Sequence, residues 1–147
     1  MAMPGKTIRT LDDLFVHTLQ DIYYAERQII KHLPGMIKKA SNPQLKAAFE
    51  DHLKKTEGQV ERLKQVFEMN GLKPKAVTCE AMDGILSEAK EIMGDCADDS
   101  VRDAAIISAA QAVEHYEMTR YGTLIAFAEQ LGHSECAALL RETLDEE

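Results

Sequence analysis

The chain has 147 residues, of which 45% are hydrophobic and 29% charged, with only 4 prolines and 8 glycines. That length suits one domain, 1–147, and the composition is too apolar for a disordered chain and too poor in turn residues for a sandwich of many strands. A net charge of −8, with the basic residues scattered, would repel a phosphate backbone and argues against nucleic acid as a partner.

The opening segment lacks the apolar stretch of a signal peptide, and no run approaches the ~18 apolar residues of a membrane helix. The expectation is a cytoplasmic protein with no membrane association. Cys79, Cys96 and Cys136 are odd in number and widely spaced, with no C-x-x-C. They read as reduced, buried or half-buried small hydrophobes rather than a disulfide framework.

In Thr10-Leu11-Asp12-Asp13 a hydroxyl precedes an acid by three residues, the capping-box pattern. Leu14, Phe15, Leu19, Ile22, Ile29 and Leu33 follow at helical spacing, so a first helix starts here. Pro34-Gly35 interrupts it, yet Met36, Ile37 and Ala40 keep the pattern, which predicts a kink and a further turn or two. Ser41-Asn42-Pro43 is then a cap followed by a proline at the first helical position. A second helix runs from about Pro43 to Asn70 on Leu45, Phe49, Leu53, Leu63, Val66 and Phe67, with Gly71 placed to end it.

After a short loop, Thr78 is placed to cap a shorter helix over about residues 79–93. Ser100-Val101-Arg102-Asp103 repeats the capping-box pattern and opens the longest periodic stretch, about 30 residues, which ends at Leu131 before Gly132. Ser134 is placed to cap a last helix carrying Cys136, Leu139, Leu140 and Leu144. Four long amphipathic helices with short links, and one long connection bearing its own helix, predict an all-α fold. Its expected form is a ferritin-like antiparallel four-helix bundle with an additional short helix in the crossover.

Several polar residues stand where apolar ones belong. At ~100° per residue from Ile22, Ile29 and Leu33 fall near −20° and +20°, and Glu26 falls near +40°, inside the stripe. From Leu45, roughly the same sector holds Phe49 and Leu63 but also His52, Thr56 and Gln59. From Ile106, Glu117 falls near +20°, Tyr121 near +60° and Glu114 near +80°, so Glu114 and Glu117 are neighbours with one at the border of the stripe. The last helix is too short to phase, and either Glu146 or Glu147 can turn inward.

Burying several carboxylates without compensation is costly, and no Lys or Arg shares these stripes. Two divalent cations bridged by Glu side chains from facing helices would supply the missing charge. The blander alternative is that each acid lies on a solvated face and His52 is a satisfied core histidine.

The segments DIYYAERQII, HLKKTEGQVERLKQVF, CEAMDGI, AAQAVEHYEMTRYGTL and LLRETLDEE together resemble the YciE/YciF family of ferritin-like bacterial proteins over nearly the whole chain. The resemblance implies a ferritin-like bundle, usually a homodimer, with a di-metal centre of iron or manganese and a link to bacterial stress responses. Carried over residue by residue, it implies metal ligands at Glu26, Glu114, Glu117 and Glu146, with His52, Thr56 and Gln59 as the inward polar run. The ferritin-like E-x-x-H reads Thr56-Glu57-Gly58-Gln59 here, and the given sequence stops at Glu147, which together imply a lighter or more open ligand set.

Two functions follow as expectations. In the first, Glu26, Glu114, Glu117 and Glu146 ligate or bridge two divalent ions, with His52 as a further ligand or just outside them; the ions react with O2 or peroxide, or oxidise Fe(II) as a ferroxidase, and Tyr121 donates a hydrogen bond or an electron nearby. In the second, the chain is a non-catalytic helical stress or assembly protein whose polar core network fixes register and requires no metal.

Overall fold

The computed structural model describes residues 7–147, and within them every regular element is a helix: α1 (Leu11–Lys39), α2 (Pro43–Met69), α3 (Glu80–Asp95), α4 (Asp99–Gln130) and α5 (Ser134–Glu146). Thr10 caps α1 as its sequence requires. Its Oγ1 accepts from the Asp13 amide at 3.0 Å, and the Asp13 carboxylate accepts from the Thr10 amide at 3.2 Å. Pro34 lies inside α1, which continues through it to Lys39. Asn42 Oδ1 accepts from the amides of Gln44 and Leu45, and Pro43 takes the first position of α2, where its missing N–H costs no hydrogen bond.

Gly71 and Gly132 adopt φ of 68° and 78°, the left-handed region that lets a helix stop. At each, two backbone bonds close the end: Leu72 N to Phe67 O and Gly71 N to Glu68 O after α2, His133 N to Ala128 O and Gly132 N to Glu129 O after α4.

Three caps differ from the sequence reading. Cys79 rather than Thr78 precedes α3, its Sγ accepting from the Met82 amide at 3.3 Å. Asp98 rather than Ser100 caps α4, accepting from the Val101 amide at 3.0 Å. Asp103 is occupied elsewhere, receiving the Ser41 amide and hydroxyl and the Asn42 amide, and so ties the α1–α2 turn to α4. His133 stands at the cap position of α5 without a side-chain bond, so Ser134 is not the cap.

α1 packs on α2, α2 on α5, α5 on α4 and α4 on α1, which closes a ring of four; α3 lies outside it against α4 and α1. The core within that ring takes Phe15, Leu19 and Ile22 from α1, Leu63, Val66 and Phe67 from α2, Ile106 and Leu124 from α4 and Leu140 from α5. Tyr23 meets Phe67 edge-on with centroids 5.4 Å apart. Met82, Leu86 and Met93 bury the inner face of α3.

Polar contacts fix its position. Tyr24 Oη donates to the Asp83 carboxylate at 2.9 Å, and Tyr116 Oη lies 3.0 Å from Cys79 Sγ while donating to Asp21 at 2.8 Å. The three cysteines are free thiols, two buried and Cys96 half-buried. Among the described residues no helix is long and apolar enough to cross a membrane.

Candidate metal centre

Near the middle of α1, one helical turn separates Ile22, Glu26 and Ile29, so the fold that buries the two isoleucines carries Glu26 inward with them. On α4 the same spacing carries Glu117 inward between Val113 and Tyr121. Glu26, Glu117, Tyr121 and Thr56 are all fully buried, and Gln59 nearly so. Thr56 spends its hydroxyl on its own helix, donating to His52 O at 2.8 Å.

The other oxygens are not so provided for. Both carboxylate oxygens of Glu26 and of Glu117, Gln59 Oε1 and Tyr121 Oη are shut off from solvent and have no hydrogen-bond partner. Both carboxylate oxygens of Glu147 share that condition.

Electrostatics follow from that burial. Desolvation pushes the Glu26 carboxyl up to about 8, against a smaller opposing effect of Glu117 beside it. Glu117 is raised well above the usual carboxylate range, first by burial and then by the charge of Glu26. Glu147 is pushed up to about 10 by burial and by Glu117. Burial thus disfavours the charged form of all three acids, and each charge that forms among them makes the next more costly. Tyr121 is raised as well, by burial and by the charges of Glu26 and Glu117.

Glu146 occupies a different setting. It accepts from Arg62 Nη2 at 2.5 Å and from Gln59 Nε2 at 3.0 Å, and Arg62 also reaches Thr143 Oγ1 at 3.2 Å and Glu142 at 3.3 Å. Arg62 holds the Glu146 carboxyl below its ordinary value. No Lys or Arg shares the apolar stripes, yet Arg62 reaches Glu146 from outside them. Arg62 lies roughly −100° from Leu45 on the α2 wheel, off the stripe, but its long arm spans to α5. Glu147, which the residues left level with Glu146 and the resemblance passed over, is the one at the end of α5 whose carboxylate oxygens are shut away without a hydrogen bond.

His52 and Glu114 form a separate pair at the edge. His52 Nδ1 is 3.6 Å from Glu114 Oε1, with both side chains half-buried, and desolvation lowers the His52 pKa. The structure therefore brings Glu26, Glu117, Tyr121 and Gln59 into one buried layer, sets His52 and Glu114 beside it, and ties Glu146 to Arg62. Among the described residues no three His, Cys, Asp or Glu side chains converge as a ready-made ion cage.

A family model described as a domain of unknown function, DUF892, matches residues 10–147. Protein YciF of Escherichia coli K12 is 48% identical over 141 residues, 95% of this chain and 85% of that protein. Among solved structures, YcfI from Rhodopseudomonas palustris is similar with a TM-score of 0.95 and 51% identity, covering 98% of this chain and 92% of that one. The E. coli stress protein YciF has a TM-score of 0.90 and 47% identity over 95% and 88% of the two chains. A protein from Xanthomonas campestris pv. campestris, 22% identical with a TM-score of 0.74 over 93% and 84%, shares the fold.

Proposed function

The chain belongs to the DUF892 family, and from that membership together with its sheltered carboxylates we propose that it is a ferritin-like protein that binds two divalent metal ions, iron or manganese, between its long helices. On this reading α1, α2, α4 and α5 are the antiparallel bundle and α3 is the crossover helix. The observation that carries it is the set of buried oxygens without donors on Glu26, Glu117, Glu147, Gln59 and Tyr121. Nearly all are acceptors, and a layer of acceptors facing one another is unstable unless cations or protons enter it.

The donor chemistry fits hard divalent ions. Glu26 and Glu117 are the central ligands, Glu114 and His52 complete one side, and Glu146 joins from α5 when it leaves Arg62. Glu147 is the added candidate at that end. Bound iron or manganese would supply reactivity toward dioxygen or peroxide, with Fe(II) as the electron source for a ferroxidase. The chain's own part is to exclude water with Ile22, Ile29 and Val113, to offer the Tyr121 hydroxyl, and to keep His52 neutral for ligation.

YciF is described as a stress protein, and we extend that role to this chain as removal of oxygen or peroxide in the cytoplasm, by a homodimer.

A second reading is favoured by the Arg62–Glu146–Gln59–Thr143 network. It makes the protein a non-catalytic stress or assembly factor whose polar core fixes register, with the central acids protonated. Elemental analysis after Fe(II) or Mn(II) reconstitution separates the two. The first reading expects about two ions per chain, lost in Glu26→Ala/Glu117→Ala, and a raised melting temperature with metal. No retained metal and indifference to chelator would leave the second.

A further inference from the structure

A small cavity adjoins the acid layer. It has a volume of about 20 Å³ and is walled by Ile29, Leu33 and Met36 of α1, Phe49 and His52 of α2, Leu86 of α3, and Ala110 and Val113 of α4. Its position follows from helical spacing. Ile29 is three residues past Glu26, Val113 four before Glu117 and His52 four before Thr56, so the cavity occupies the layer one turn, about 5 Å, from the carboxylates. Its walls are apolar apart from His52. One water-sized molecule fits, but a buried water needs two to four polar partners, and His52 alone is offered. A small apolar molecule loses nothing there.

The cavity also has an approach. A groove of about 300 Å³ between α1 and α3 opens to the surface beside Gly35, rimmed by Lys31, Lys39 and Lys90, and Met36 and Leu86 line both it and the inner cavity. These two side chains form the partition. Each is almost wholly buried, yet neither is β-branched, and an unbranched thioether such as Met36 changes rotamer at little cost. Nothing covers Gly35 within 4 Å of where a Cβ would stand, so the outer mouth is open.

We infer that the cavity is a binding site for a small apolar gas, dioxygen by its chemistry, which enters by the α1–α3 groove past Met36 and Leu86 and lodges beside His52. The identification of the gas rests on the di-metal reading above; the site itself does not.

Xenon is the probe, applied to the metal-free protein by pressurising crystals and by xenon-dependent shifts of the Ile29, Leu33 and Val113 methyl resonances. Xenon is expected between Ile29, Phe49 and Val113, lost in Ala110→Leu, which fills the cavity, and with faster exchange in Leu86→Ala, which thins the partition. Ala110→Val is the milder filler should Ala110→Leu fold poorly. Absence of xenon from this cavity in both the unaltered protein and Leu86→Ala would overturn the site.

The second arm uses Fe(II)-loaded protein. Ala110→Val should slow oxygen consumption several-fold at unchanged iron content. An unchanged rate there, with xenon displaced, would overturn dioxygen as the occupant. Failure to take up iron would sink the di-metal reading while leaving the xenon result to decide the cavity.

Discussion

Glu26 is a carboxyl that folding makes a weaker acid, and its sign is opposite to that of Glu146. In the metal-free protein its pKa rises from 4.5 to about 8, so the folded state holds the proton more tightly than the unfolded chain. Its contribution to stability is complete below the unfolded value and is lost as pH climbs through about 8. Glu147 acts in the same direction up to about 10. Glu146, depressed by Arg62, contributes above its unfolded value and loses that contribution as acid protonates it.

Thermal melts of the metal-stripped protein should therefore fall as pH rises above about 4.5, through about 8 for Glu26 and on toward about 10 for Glu147. Glu26→Gln should shrink that slope and raise the melting temperature at the upper end by several degrees, at roughly 3 °C per kcal/mol for a domain of this size. With metal present the same substitution should lower it, because a ligand has been removed. A slope unchanged by Glu26→Gln would show that the carboxyl is not a buried acid in solution.

Glu26, Thr56 and Gln59 were legible in the sequence because each lies within a long helix with a one-sided apolar stripe, and Glu117 through its four-residue spacing from Val113 and Tyr121, although α4 as a whole is apolar on several sides. Glu147 was not, since α5 is too short to define a phase. Arg62 was not, because a wheel tracks Cβ directions and not the reach of a guanidinium.

Helix ends carry the next scale, and here the sequence reading holds for α1 and for the two glycine stops but not for the caps of α3, α4 and α5. The Thr10 box and the Gly71 and Gly132 stops are local devices, and they form as read. The Ser100–Asp103 box does not, for two reasons: Asp98, two residues earlier, caps the helix instead, and Asp103 is drawn to Ser41 and Asn42 some sixty residues away. No short-range pattern encodes that second contact. The glycines separate in the same terms. Gly132→Ala forces a side chain into the left-handed region and should cost about 1 kcal/mol. Gly58 lies in the interior of α2 with open space around its missing Cβ, so Gly58→Ala should stabilise by about 0.5–1 kcal/mol. Urea denaturation of the two variants checks both; equal signs would contradict the assignment of Gly132 to a helix stop.

At the scale of the whole molecule, α4 is the element whose sequence is least one-sided, and its neighbours explain it. It packs on α1, α3 and α5, so apolar residues are needed around most of its circumference. One sector still faces outward. Val101, Ala105, Ser108 and Ala112 follow one another at three- and four-residue steps, and the last three line a shallow groove with Gly84 and Ile92 of α3. Val101 is 56% exposed and Ile92 45%, and the small residues of the groove would let another helix approach closely.

If the proposed homodimer uses this face, sedimentation should give twice the 16.4 kDa chain mass, and Ile92→Lys/Val101→Lys should weaken association at least tenfold, about 1.4 kcal/mol. Salt supplies an independent sign. Each chain carries −8, so two copies repel, and raising ionic strength should tighten a dimer held by apolar contact while loosening one held by ion pairs. A monomer at tens of micromolar in high salt would place the function in a single chain, and the groove between α3 and α4 would then need no second copy.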